Sequence, residues 1–344
     1  LYQTYQHVHD AALFSTLPAA QQSAIKLALR DFKLSGVALE GTAKTRYAEI
    51  SARLSQLSSD FSNHVLDATQ AYVKPLSDAQ LKGLPANSVE LLKQYGQQHQ
   101  LSQAAATLDI PAYMAIMTYA DDRDVRAELY KAYTTRASDQ SEYPAFDNSQ
   151  VMEEILSLRQ EMAQLLGFNN YAELSLASKM APDVATVEEF LIDLAEHARV
   201  PAEKEVAELK AIALADGIDD LQPWDTGYYS EKLKVQQYNL SQEALKPYFP
   251  APKILQGLFS IVNRLYGINV VERQAPVWQS DVRYFELEEH GVVLGGFYFD
   301  LYARSGKRGG AWMSGIRSRK QTTAGIQKPI CNMVCNCTPA VGTQ

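Results

Sequence analysis

The stretch Arg46-Tyr-Ala-Glu-Ile-Ser-Ala-Arg-Leu-Ser-Gln-Leu-Ser-Ser-Asp-Phe-Ser-Asn-His-Val65 sets the fold class. Tyr47, Ile50, Leu54, Leu57, Phe61 and Val65 recur at spacings of three and four, which gathers them on one face of an α-helix. Ser51, Ser58, Ser59 and Asp60 fall between them and take the polar side, and Gly41-Thr42 marks the start. The same period returns over Arg123 to Ala137, with Val125, Leu129, Ala132 and Tyr133 as apolar contacts. From Asn148-Ser149 it carries Val151, Ile155, Leu158, Met162, Leu165 and Leu166, and Gly167 ends it. After Pro182-Asp183, Thr186 with Glu189 three residues on reads as a capped start, and this helix heads for Gly217 with Pro201 as a kink or break. Ile254, Leu258, Ile261, Val262 and Leu265 define a further helix that stops near Gly267.

The pattern changes after Pro276. Asp281 to Glu288 is short, aromatic and β-branched, Glu289-His290-Gly291 reads as a turn, and Val292 to Tyr302 reads as the partner strand. A Gly- and Lys-rich link, Ser305 to Gly310, leads into Ala311-Trp-Met313, and Pro329 to Thr338 is a further strand. The expected fold is mainly α: a helical body over 1–276, of more than one sub-bundle, and a small β-sheet region over 277–344.

Composition narrows the function. The chain has 344 residues, 46% hydrophobic and 21% charged, as in globular proteins with a sizeable core. Its formal charge of −8, without a long basic block, disfavours nucleic acid as a partner. The longest apolar run, Val292 to Phe299, is far short of the ~20 residues of a membrane span. Three cysteines, all between Cys331 and Cys337, fit a reducing cytoplasm. The opening on Leu1 instead of Met suggests an internal piece of a longer polypeptide.

Self-contained catalytic motifs are missing: there is no phosphate-binding G-x-x-x-x-G-K-[ST], no G-x-S-x-G and no H-E-x-x-H. Cys331, Cys335 and Cys337 would share one side of a strand with Met333, and a buried strand face is preferred to a metal knuckle because no second ligand pair exists. Adjacent carboxylates such as Asp121-Asp122 and Glu153-Glu154 diverge by about 100° on a helix and read as a solvated face. Trp224, Asp225, Tyr228 and Tyr229 suit either a channel wall or a helix junction, the junction being preferred, and Lys307-Arg308 reads as a solvated turn.

Several blocks together resemble the thimet oligopeptidase and oligopeptidase A family of zinc metallopeptidases. They include Arg30-Asp-Phe-Lys-Leu-Ser-Gly-Val37, Phe61-Ser-Asn-His-Val-Leu-Asp-Ala-Thr69, Tyr119-Ala-Asp-Asp-Arg123 and Pro223-Trp-Asp-Thr-Gly-Tyr-Tyr-Ser-Glu231. Val277-Trp-Gln-Ser-Asp-Val-Arg283 and Phe299-Asp-Leu-Tyr-Ala-Arg304, leading to Gly309-Gly-Ala-Trp-Met313, extend the match over nearly the whole chain. Gln279 stands where the family usually shows His, and Cys337 where an aromatic is common.

The resemblance implies a multi-helix, channel-type peptidase that admits short unfolded peptides. It also implies a catalytic zinc held by an H-E-x-x-H helix and a later Glu, with the motif Glu as general base. The strand matching Lys328 to Pro339 precedes that helix in the family, so the zinc ligands are expected beyond residue 344 and no catalytic or metal residue is assigned within the chain. The expected partners are peptide substrates and the remaining carboxyl part of the same protein. A catalytically dead peptide-binding or scaffold protein of the same ancestry is the alternative.

Gly310, Ala311 and Trp312 are the candidate substrate-binding residues. A protease that accepts many sequences holds its substrate mainly by main-chain groups, most simply as an added strand on a sheet edge. Small residues allow another backbone to approach, and the resemblance places an edge strand of the cleft here. The plainer alternative is that the glycines shape a turn and Trp312 fills the core.

Overall fold

The computed structural model describes residues 1–339. The chain forms two compact units, each discontinuous in sequence: Leu1–Val65 with Ala137–Ala207, and Leu66–Arg136 with the chain from Glu208 onward.

In the first unit, the stripe that starts at Tyr47 lies on the long helix Gly41–Ala71. Ile50 and Leu57 are buried, Leu54 and Phe61 are half-buried, and Ser58 and Ser59 face solvent. Two bidentate pairs tie it to the helix Ser149–Leu165: Arg46 donates to Glu161 at 2.6 and 2.7 Å, and Arg53 to Glu154 at 2.6 and 2.6 Å. Asn148, just ahead of that helix, is buried; its Nδ2 donates to the Phe61 carbonyl at 3.2 Å and its Oδ1 faces His64 Nδ1 at 2.9 Å.

The helix Val184–Ala215 is capped by Asp183 rather than Thr186. Asp183 Oδ1 accepts the Thr186 N–H at 2.8 Å, because a carboxylate at the cap reaches the third amide of the first turn. Pro201 removes the donor of one rung, and the helix runs through it unbroken.

The second unit contains a small antiparallel pair within the helical body, β1 (Val73–Leu76) and β2 (Ala104–Thr107). Sequence periodicity does not announce it, since Ala-Ala-Ala-Thr is short, without alternation, and buried throughout. The chain returns from the helix Ala86–Gln98 so tightly that a Cβ on Gly96 would sit 1.9 Å from the Gln103 carbonyl oxygen. Only glycine fits there.

The late sheet uses β3 (Asn269–Arg273), β4 (Arg283–Glu289), β5 (Val292–Tyr302), β6 (Trp312–Arg317) and β9 (Ile330–Cys337). A two-stranded hairpin, β7 (Lys320–Thr322) and β8 (Gly325–Gln327), is inserted between β6 and β9 in sequence. The sheet order is β3-β4-β5-β9-β6, with β5 and β9 parallel and the other neighbours antiparallel. The late sheet thus begins at Asn269, ahead of Pro276. His290 and Gly291 join β4 to β5 with φ of 48° and 79°, the paired left-handed conformations of a two-residue hairpin turn.

The helix Ala251–Tyr266 has two apolar faces. Phe259 packs a tilted ring against Phe285 of β4 at 5.1 Å between ring centroids, and Leu255 and Val262 are half-buried. Ile254, Leu258, Ile261 and Leu265, which the sequence pattern placed among the contacts, are 41–66% exposed. Contiguous apolar surface of this kind promotes association. The chain on its own is therefore expected to bind an apolar-sensitive dye and to self-associate. Leu258→Glu with Ile261→Lys should cut the dye signal without loss of far-UV circular dichroism; a clean wild-type monomer that melts sharply and binds no dye would contradict this.

Candidate functional site

The candidate residues Gly310, Ala311 and Trp312 sit where the β5–β6 connection enters the sheet. Two polar assemblies position that connection. Asp300, near the end of β5, is buried and accepts from Arg304 Nη1 and Nη2 at 2.6 and 2.9 Å, Lys307 Nζ at 2.8 Å and Trp278 Nε1 at 3.0 Å. Lys307 also donates to the Asp300 and Tyr302 carbonyls at 3.0 and 2.7 Å. Lys307 is therefore buried at 5% side-chain exposure, not part of a solvated turn; the nearby carboxylate and two carbonyls compensate its lost hydration, while Arg308 stays exposed. Burial alone would raise the Asp300 pKa, but the donors from Arg304, Lys307 and Trp278 outweigh it and hold the carboxyl well below its usual range.

The second assembly is Asn336 on β9. Its Nδ2 donates to the Arg308 carbonyl at 2.9 Å and the Gly310 carbonyl at 2.7 Å. The Gly310 carbonyl is thus already engaged. Gly310 has φ of 101°, so any side chain there would be strained although the space beside it is open. Trp312 opens β6 and is 38% exposed, so it does not fill the core. It pairs with Val334, and β6 lies at the sheet's edge, exposed along its length. An exposed edge with unpaired main-chain groups can accept a further strand.

The other singled-out residues lie deep. Asp225, on the first turn of the helix Pro223–Tyr238, is fully buried. It accepts from Arg123 at 2.8 Å, Arg126 at 2.8 Å and the Gln222 N–H at 3.1 Å. Burial pushes its pKa up, but these donors outweigh it and keep the carboxyl below its ordinary value. Arg126 is itself buried, donates to the Ala120 carbonyl at 2.6 Å and lies 4.2 Å from the Tyr228 ring centroid. Tyr228 donates to Asp121 at 2.8 Å, and Tyr228 and Tyr229 form a core cluster with Leu209 and Ala213. Asp225, Tyr228 and Tyr229 therefore belong to a helix junction, while Trp224 is half-buried near Tyr130.

The cysteines do not form a buried strand face. Val334 is the buried residue of β9; Cys331 and Cys335 are half-buried and Cys337 is exposed, because β9 turns its opposite face inward. Among the described residues, no group of three or more His, Cys, Asp or Glu side chains is placed to hold a metal ion. Nor is any described helix long and apolar enough to cross a membrane.

The profile of peptidase family M3 matches residues 116–344. The chain belongs to peptidase family M3. It is 48% identical to oligopeptidase A of Escherichia coli over 98% of its own length and 50% of that protein. It is 45% identical to oligopeptidase A of Haemophilus influenzae over 100% of its length and 51% of the relative. Dipeptidyl carboxypeptidase of Escherichia coli is more distant, 31% identical over 89% of this chain. The M3 chain spans about half the length of the curated relatives it matches, and both the helical part and the late sheet lie within the matched region.

Sequence reasoning missed the two polar assemblies of this M3 chain. Asp300 and Arg304 stand four apart inside a quoted block, and Lys307 follows, but only the fold shows all three converging with Trp278. Because Lys307 stays buried, Asp300→Ala should cost about 3–5 kcal/mol at neutral pH by leaving an uncompensated ammonium. The folded-state pKa of Asp300 lies below the unfolded value, so the stabilisation is complete above the ordinary range near ~3.9 and is lost as pH falls below it. Urea unfolding of wild type and Asp300→Ala at neutral pH and at about pH 3 should show the gap narrowing in acid.

Proposed function

We propose that this chain supplies part of a cytoplasmic zinc metallo-oligopeptidase that hydrolyses short unfolded peptides. The observation that carries the reading is 45–48% identity to oligopeptidase A across almost the whole chain. In this reading the zinc is held by residues beyond 344, since the described residues do not fit a metal ion. What these residues contribute is positioning: β6 offers its open edge to an extended peptide, Trp312 packs against a substrate side chain, and the segment from Gly310 to Ala311 lets a second backbone come close. Asp300, Lys307 and Asn336 keep that segment rigid before substrate arrives, which lowers the ordering cost of binding.

Three measurements test this. The 344-residue chain alone should not hydrolyse a quenched fluorescent peptide; turnover abolished by chelator and restored by zinc would place the ligands within it. The coding sequence past Gln344 should encode H-E-x-x-H within a few dozen residues, whereas a stop codon would favour a peptide-binding protein without catalysis. In an active longer protein, Trp312→Ala should raise KM for a peptide several-fold with kcat, metal content and melting temperature nearly unchanged. Unchanged kinetics would remove the edge from the binding site.

A further inference from the structure

The segment Ser305–Lys328 holds six of the chain's 32 Lys and Arg residues and none of its 40 Asp and Glu residues. Lys307 is consumed by Asp300. The other five, Arg308, Arg317, Arg319, Lys320 and Lys328, are exposed, and no carboxylate among the described residues lies within ion-pair distance of them. The opposite side of the sheet behaves differently. There Arg273 meets Glu288 at 2.7 Å and Glu286 at 3.4 Å, and Arg283 meets Glu272 at 2.7 Å. An acidic protein that pairs its arginines on β3 and β4 leaves those around β6 without counter-charge.

Four of these cations gather at one end of the edge strand. Arg317 is the last residue of β6, Arg319 and Lys320 open the β7–β8 hairpin, and Lys328 follows it. Arg317 Nε donates to the Lys328 carbonyl at 2.9 Å and Gln327 Nε2 to the Ser318 carbonyl at 2.7 Å, which fixes the base of the hairpin against the end of β6. The result is an open row of main-chain groups, roughly 20 Å long at ~3.3 Å per residue, ending in a cluster of unpaired positive charge. A polynucleotide would answer the charge but not the strand edge. An acidic peptide answers both.

We propose that the β6 edge and its basic end select peptides carrying acidic residues at one end of the segment paired with β6. Arg317, Arg319 and Lys320 supply the discrimination, and the main chain of β6 supplies sequence-independent affinity. The proposal rests on the peptidase reading for the class of ligand and adds the charge preference.

Fluorescence anisotropy on the full 344-residue chain tests it directly. The probes are a labelled decapeptide with a terminal run of Glu, its Gln counterpart, and a single-stranded oligonucleotide of equal charge. The Glu peptide should bind about tenfold more tightly than the Gln peptide at low salt, as a few exposed ion pairs allow. That preference should shrink near physiological ionic strength and vanish in Arg319→Glu/Lys320→Glu, whose exposed positions leave the circular dichroism unchanged. Equal affinities, absence of binding by either peptide, survival of the preference in the double variant, or equally tight binding of the oligonucleotide would each overturn it. Binding needs no turnover, so the two readings separate. A Glu preference in a protein that never cleaves peptides would defeat the peptidase reading alone. Cleavage of Glu and Gln peptides with equal kcat/KM in an active longer protein would defeat the charge preference alone.

Discussion

Asp225 accepts from two arginines and a backbone amide while wholly removed from water, and the helices of the second unit are arranged around that fact. A carboxylate taken out of solvent is costly unless its charge and lone pairs are answered. Arg123 and Arg126, both on the helix Arg123–Thr134, answer them from one side, and the Gln222 N–H at the cap of the helix Pro223–Tyr238 answers from the other. The interaction is directional, so it sets the relative rotation of the two helices in a way that apolar contacts among Leu209, Tyr228 and Tyr229 would not. Arg126 Nη1 also donates to the Ala120 and Asp121 carbonyls, and its flat face lies against Tyr228, which fixes the chain ahead of its own helix. Lysine in its place would keep the charge and lose the fork and the stacking.

Asp300 repeats the solution in the sheet. A buried carboxylate again gathers two cations, here from the segment that directly follows it, and so folds that segment back over the end of β5. The two sites differ in what they fix. Asp225 sets one helix against another, whereas Asp300 fixes a connection whose conformation decides where the edge strand starts.

Helix periodicity was legible because it is local. Tyr47 to Val65, Ser149 to Leu165 and Ala251 to Tyr266 each declare their period within a few turns, and Gly167 and Gly267 end theirs with positive φ. The β4–β5 hairpin was legible for the same reason, through His290-Gly291. What was not legible depends on distant residues. Lys307 reads as a surface lysine until Asp300 and the Tyr302 carbonyl are brought around it, and β1–β2 lacks any alternation to betray it. Ile254, Leu258, Ile261 and Leu265 have the period of a buried face, yet the helix spends Phe259 on the sheet and turns those residues out. The edge position of β6 had a local hint in Gly309-Gly310, while the absence of carboxylates along Ser305–Lys328 is visible in sequence and gains meaning only from the strand order.

The parallel pairing of β5 with β9 has a consequence for the order in which the molecule is built. β3, β4 and β5 can pair as soon as each emerges, but β6 has no neighbour in that meander; its partner β9 comes after the β7–β8 hairpin. At about 5–20 residues per second on the ribosome, β6 waits about one to four seconds, unpaired, until Ile330–Cys337 is made and inserts between it and β5. The nascent chain thus passes through a stage in which the future edge strand is a loose tether ending in a small hairpin. A substitution that weakens β9 would therefore act first on the yield of folded protein.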